Sequence, residues 1–167
     1  MATFQMPLGF GMPDTSGDIY ITKLSVELTM SNAKDQDCLM MEYPTGSDIG
    51  TNIVFTIPQN YAGSPVIMVK GVLDGTPAND FAVGAQQLGR DDSEAIDVAY
   101  ETEDLAENGT WTGYADEDMY ELTVTLTPAS AYAAGDTVFL WFFRDDDQDT
   151  TTFNFLVTDI LFQYSDS

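Results

Sequence analysis

The stretch Tyr120-Glu121-Leu122-Thr123-Val124-Thr125-Leu126-Thr127 decides the fold class. Its even positions are apolar or aromatic and its odd positions are polar. A period of two is typical of a β-strand that has one face on a core and the other in water. The same pattern runs from Leu24 to Met30, with polar residues at 25, 27 and 29. Both segments therefore predict antiparallel strands with one solvated face.

The rest of the chain contains further strand signals and almost no helix signals. Strands are predicted at 51–57, 65–73, 79–88, 94–100, 136–144 and 153–164. Turns are predicted at 58–65, 74–77 and 134–136, where Pro, Gly, Asn and Asp gather, and the acidic stretch 101–118 is predicted to be a long loop. No apolar pattern of helical period and length occurs. The sequence thus predicts an all-β, jelly-roll-like antiparallel β-sandwich of about eight strands.

The last predicted strand changes phase. Phe153, Phe155 and Val157 share one parity, whereas Ile160 and Phe162 share the other. A β-bulge near residues 158–159, or a short turn there, would restore inward alternation.

The N-terminus is apolar at alternate positions, with Gly and Pro between them. The apolar positions are Phe4, Met6, Leu8, Phe10 and Met12. Gly and Pro suit a strand interior poorly. We therefore predict an extended arm over residues 1–17 that reaches over a neighbouring subunit, followed by one sandwich domain at 18–167. The alternative is a first edge strand of the same domain.

The segment Val138-Phe139-Leu140-Trp141-Phe142-Phe143 is apolar on both faces. An antiparallel sandwich normally buries one face of a strand, here that of Val138, Leu140 and Phe142. The other face, formed by Phe139, Trp141 and Phe143, then needs cover from a loop of the same chain or from another subunit. These three side chains and the arm are the predicted subunit interface.

The charge restricts the possible partners. The 167 residues contain 28 acidic and five basic side chains, a formal net charge of −23. Such a surface repels phosphate, so neither nucleic acid nor an anionic membrane is an expected partner. The acidity predicts a halophilic or marine source, or else a basic partner or bound cations. We find no signal-peptide pattern and no apolar stretch long enough for a transmembrane segment, which predicts synthesis and assembly in the cytoplasm.

The sequence offers little catalytic chemistry. It has no histidine and one cysteine, Cys38, and it lacks a phosphate-binding loop and a nucleophile elbow. We therefore predict a protein that is not an enzyme and has no cofactor. The exception is the Asp-rich run, in which Asp145, Asp147 and Asp149 could form a Ca²⁺ site; the alternative is a solvated hairpin loop. Arg144, beside this loop, is predicted to pair with an aspartate such as Asp149.

Two aromatic residues raise a glycan alternative. Trp111 and Tyr114 lie in the acidic stretch predicted to be a loop, where exposed rings could stack on sugar faces. The sequence leaves open whether they do so or anchor the loop.

Residues 50–165, approximately, contain a series of apolar segments and turns in a recognisable order. The series comprises Ile53-Val54-Phe55-Thr56-Ile57-Pro58-Gln59-Asn60-Tyr61, Pro65–Val69, Leu122–Leu126, Ala134–Val138, Phe143-Arg144, the Asp-rich turn to Thr150, and Ile160–Tyr164. The series resembles a β-sandwich module of tailed-phage and related virus particles, found as jelly-roll-like domains in capsid decoration, head-fibre and tail-associated proteins.

The resemblance implies a structural role in a virion assembled in the host cytoplasm, as a homotrimer or higher homo-oligomer, with partners such as the major capsid protein and no catalytic residue. The expected function is therefore that of a capsid decoration or cement subunit, or of a head- or tail-fibre module. The alternative is a carbohydrate-binding β-sandwich module for host adsorption.

Overall fold

The structure is a computed structural model that describes residues 2–6, 12–13, 41–46, 48–75, 80–108 and 118–167. These residues form strands and no helix. The strands are β1 (Ala2–Met6), β2 (Met12–Pro13), β3 (Met41–Tyr43), β4 (Ile49–Thr56), β5 (Tyr61–Leu73), β6 (Phe81–Arg90), β7 (Asp104–Asn108), β8 (Met119–Thr125), β9 (Thr137–Arg144) and β10 (Phe155–Asp166).

The strands form two antiparallel sheets. The first sheet has the order β1-β10-β5-β8, and β3 also pairs with β10. Because β5 follows one side of β10, β1 and β3 share the other side. The second sheet has the order β2-β4-β9-β6-β7. With β1 and β3 counted as one edge, and the two-residue β2 set aside, each sheet has four strands. The predicted antiparallel β-sandwich is confirmed.

The core lies between the inner faces of the two sheets. In β8 the side chains of Tyr120, Leu122 and Val124 are buried, while the intervening side chains are exposed. Opposite them, β9 buries its even-numbered positions, including Phe142. Aromatic rings join the layers: the centroids of Phe55 and Phe162 lie 4.9 Å apart. The alternation read from the sequence thus marks the inward faces of both strands.

The phase change in the last strand is a β-bulge, as predicted. The register of β10 against β5 shifts between Val157 and Asp159. After the shift Ile160, Phe162 and Tyr164 are buried. The extra residue therefore returns the apolar positions to the core side without ending the strand.

Two predictions in the middle of the chain are wrong. Residues 94–100, predicted as a strand, are irregular and exposed. Conversely, β7 lies inside the stretch 101–118 that was predicted to be a loop. The inward-facing Asp104 is buried and the outward-facing Leu105 is exposed, so β7 reverses the usual polarity. It pairs nevertheless, because Gln87 Nε2 donates to Asp104 at 3.1 Å and the Thr127 main-chain N–H donates to the same carboxylate at 2.9 Å. The predicted strand at 24–30 lies outside the described residues.

The described part of the predicted arm pairs within its own chain. Residues Ala2 to Met6 pair with Tyr164 to Ile160 of β10, and Met12 and Pro13 pair with β4. These seven residues are therefore edge strands of the domain, which is the alternative to an arm that reaches over a neighbour. Pro13 is tolerated because an edge strand has one side without ladder hydrogen bonds.

Candidate interaction surface

The outer face of the second sheet carries the predicted interface residues of β9. Directly opposed residues of an antiparallel pair project to the same side of a sheet, so the register defines the face. This outer face consists of three rows of residues: Val54, Phe139 and Leu88; Asn52, Trp141 and Gln86; and Gly50, Phe143, Gly84 and Leu105.

Two aromatic rings lie flat on this face. The rings of Trp141 and Phe143 stack with centroids 4.1 Å apart and an interplanar angle of 19°. Glycines beneath them make this possible. A Cβ at Gly50 would lie 2.0 Å from Trp141 Nε1, and a Cβ at Gly84 would lie 2.5 Å from Phe143 Cζ. Phe143 is buried as a result, whereas Trp141 and Phe139 remain half-buried.

A loop of the same chain, residues 91–103, crosses the face. Its attachments are few. Arg90 Nε donates to the Ala95 carbonyl at 2.8 Å, and the Tyr100 hydroxyl donates to Asn52 Oδ1 at 2.9 Å. The Glu101 N–H donates to the Gln87 carbonyl at 2.9 Å. Every residue from 91 to 100 is exposed, so this segment lies on the face without being enclosed. Cover by a loop of the same chain, one of the two predicted possibilities, is therefore partial.

Exposed large apolar side chains gather on this side of the molecule. Within the described ranges there are six, of which Val54 is 57% exposed and Leu105 is 42% exposed on the outer face itself. Ile96, Val98 and Tyr100 belong to the crossing loop. The sixth, Met119, lies on β8 of the other sheet. Exposed apolar side chains that share one side of a molecule are typical of sites of protein association.

A cleft opens at the end of the face where β9 begins. It has a volume of about 350 Å³ and is lined by Phe139, Thr137, Ile96, Arg90, Asp91 and Asp92 among others. Phe139 and Ile96 contribute its apolar lining, and Arg90, Asp91 and Asp92 contribute its charged lining. Such a mixture suits a ligand with an apolar body and a polar or charged end.

Carboxylates crowd the opposite end. The Glu103 side chain hydrogen-bonds Gln86 on the outer face, and its pKa is raised by partial burial and then by the charges of Asp145 and Asp48. The pKa of Asp145 is also raised, first by burial, and further by the charges of Asp48 and Asp147. The Asp146 N–H donates to Asp48 Oδ1 at 2.9 Å, which ties the two loops together. Like charges are thus held close together here.

The predicted ion pair of Arg144 is confirmed. Arg144 Nε lies 2.6 Å from Asp149 Oδ2, and both side chains are fully buried. The guanidinium also donates to the carbonyls of Tyr43, Thr151 and Phe153, so it joins β9 and β3 to the loop after Asp149. This is a structural element and lies beneath the sheet surface.

The predicted Ca²⁺ ligands do not converge. Asp149 uses Oδ2 for Arg144, and its Oδ1 accepts the Thr151 N–H at 2.6 Å. Asp145 Oδ1 accepts the Asp147 N–H at 3.1 Å. Among the residues that the structure describes, no group of three or more His, Cys, Asp or Glu side chains is placed to hold a metal ion. The Asp-rich turn is not the predicted solvated hairpin loop either, because it joins β9 of one sheet to β10 of the other and because Asp145 and Asp149 are buried.

The remaining predicted site residues divide into two sets. Phe4, Met6 and Met12 lie in the edge strands β1 and β2. Leu8, Phe10, Trp111 and Tyr114 lie outside the described residues, and a glycan site at the last two stays a prediction. Sequence reasoning missed Val54 and the loop residues Ile96 and Tyr100. A signal for Val54 was available, because Ile53-Val54-Phe55 is apolar on both faces as the β9 segment is.

Comparison of the chain with models of protein families and with curated proteins gave no match. The described part of the chain contains no helix of the length and apolarity needed to cross a membrane.

Proposed function

We propose that this protein is a structural subunit of a virus particle that works by packing against other protein subunits through the outer face. Its place would be that of a capsid decoration or cement subunit, or of a head- or tail-fibre module, with the major capsid protein among its partners. The observation that carries the proposal is the gathering of exposed apolar side chains on one sheet face, around half-buried Trp141 and Phe139.

The composition of the face supports packing as its function. Interface centres are enriched in aromatic residues and depleted of charge. The outer face has a tryptophan and two phenylalanines and no ionisable residue in its three rows. A flat sheet presents such side chains in a fixed array, so little side-chain entropy is lost when a partner covers them.

The proposal includes no catalysis, no cofactor and no membrane or nucleic-acid partner. The contribution of the chain is the burial of apolar surface at subunit joints, which gains roughly 25 cal/mol for each Å² removed from water. A formal charge of −23 disfavours contact with phosphate groups.

Incorporation into particles tests the proposal. Particles assembled with the protein should carry it on their surface, detected by immunogold labelling and by mass spectrometry of the purified particles. Val54→Asp places a charge on the outer face and should abolish the label. Met119→Asp changes a side chain of almost equal exposure on the other sheet, 55% against 57%, and should leave the label in place. A protein found only in the soluble fraction would refute the virion assignment, and equal labelling for the two variants would refute the role of the face.

A further inference from the structure

We infer that the outer face binds a basic polypeptide segment of a different protein, in which apolar side chains are flanked by lysine or arginine, and that it does not bind a second copy of this chain. This inference rests on the proposed function only in taking the outer face as the packing surface. It adds the chemistry of the partner, which follows from how charge is arranged around the face.

The centre of the face is neutral and apolar, and both of its ends are acidic. At one end, Asp91 and Asp92 outnumber the single base Arg90 among the charged side chains that line the cleft beside Phe139. At the other, Glu103 lies against Gln86, within electrostatic reach of Asp48 and Asp145. A segment that follows the face along its strands would place its middle on apolar side chains and its two ends beside carboxylates. Opposite charge at those ends is the complementary arrangement.

The bases in the described part of the chain neutralise these ends only in part. Arg90 lines the cleft together with Asp91 and Asp92, and its Nε and Nη1 donate to the main-chain carbonyls of Ala95 and Gly89. Lys70 pairs with Glu121 on the first sheet, and Arg144 is buried. Burial is the largest cause of the raised pKa values of Glu103 and Asp145, and neighbouring carboxylates raise both pKa values further.

A second copy is the wrong partner on electrostatic grounds. Two outer faces brought together about a twofold axis would set acidic ends against acidic ends, or against the neutral centre. Each molecule also carries a formal charge of −23, so their approach is opposed at all but high ionic strength. A basic segment meets neither obstacle.

The decisive experiment uses tryptophan emission from the face itself. The chain has two tryptophans, so Trp111→Phe leaves Trp141 as the single reporter. The probe is the peptide Lys-Lys-Leu-Val-Leu-Lys-Lys, blocked at both ends. One control peptide has glutamate for each lysine, and another keeps the lysines and replaces the apolar residues by serine. We expect the first peptide to shift Trp141 emission to the blue and to bind about tenfold or more tightly than either control at low salt. The difference in affinity between the lysine peptide and the glutamate peptide should become smaller at about 1 M salt, where the screening length is about 3 Å.

Variants connect the binding to the face. Ile96→Asp lies in the irregular loop, so it does not disturb a strand, and it should weaken binding as Val54→Asp does. Met119→Asp should bind as the parent protein does. Thermal melting of each variant, followed by circular dichroism, shows that the fold is intact.

Four results would overturn the inference. The first two are binding of the glutamate peptide as tight as that of the lysine peptide, and binding that Ile96→Asp does not weaken. The third is Trp141 emission that acrylamide cannot quench in the free protein, because the chain itself would then cover the face. The fourth is a homodimer that Ile96→Asp dissociates. Surface labelling of particles together with any of these would retain the proposed function and reject only this partner.

Discussion

The buried pair Arg144–Asp149 gives the sharpest test of how this sandwich is held together. Asp149→Asn keeps the size of the side chain and one of its two acceptor oxygens, and it removes the charge. The Arg144 guanidinium, fully buried, then loses the counter-ion that lies 2.6 Å from its Nε. Breaking a buried pair by removing one partner costs about 3–5 kcal/mol, because the remaining charge is left uncompensated.

The contacts of the pair indicate how much stability each single variant should lose relative to that range. In Asp149→Asn the guanidinium still donates to three carbonyls, those of Tyr43, Thr151 and Phe153, so we expect a loss near the lower bound, about 3 kcal/mol. In Arg144→Met the same carbonyls lose their donor and the Asp149 carboxylate stays buried. Each unsatisfied buried group costs about 1–3 kcal/mol, so this variant should be the more damaged.

Urea denaturation at neutral pH and fixed ionic strength measures both losses, since urea adds no charge that would screen the pair. For a chain of this length we expect Asp149→Asn to lower the melting temperature by about 6 °C or more. The double variant Arg144→Met/Asp149→Leu removes both charges and should recover part of the stability that Arg144→Met loses. A loss below about 1 kcal/mol for Asp149→Asn, or a smaller loss for Arg144→Met than for Asp149→Asn, would refute the reasoning.

Three further outcomes are expected. Gly84→Ala puts a methyl group 2.5 Å from Phe143 Cζ and should lower the free energy of unfolding by about 1–3 kcal/mol in urea titrations; an unchanged midpoint would mean that the ring is not held against the sheet. Folding raises the pKa of Asp145 and of Glu103, so their contribution to stability is complete below the ordinary carboxyl pKa values, about 4, and is lost as pH rises through the raised ones. Asp145→Asn should therefore flatten the fall of the urea midpoint above that pH relative to the exposed control Asp92→Asn, and parallel profiles would contradict this. Light scattering should detect a homo-oligomer at about 1 M salt, where acidic repulsion is screened and apolar contacts outside the outer face remain; a monomer at every salt concentration would exclude it.

The sequence by itself determined which side chains of β8 and β9 face the core. Alternation in the stretch from Tyr120 to Leu126 requires one wet face, and the doubly apolar run from Val138 to Phe143 requires a second cover for β9. The position of the bulge in β10 followed from the phase change alone. The partner of Arg144 was also predictable, because a lone arginine at the end of an apolar strand needs a nearby carboxylate.

Other features were decided only by the tertiary structure, and the local sequence pattern predicts them wrongly or not at all. Asp104 points inward in β7 because Gln87 and Thr127, distant in sequence, satisfy its carboxylate, so an acidic stretch becomes a strand. Residues 94–100 have a strand-like composition, yet they form an irregular loop across the outer face. The strands of that sheet pair with one another and not with this segment. The flat packing of Trp141 and Phe143 depends on glycines in two other strands, which the β9 segment does not encode. Alternation of apolar and polar residues indicates which side chains of a strand face the core and which face solvent. Strand pairing, long-range hydrogen bonds and the covering of a sheet face depend on residues that become neighbours only when the chain folds.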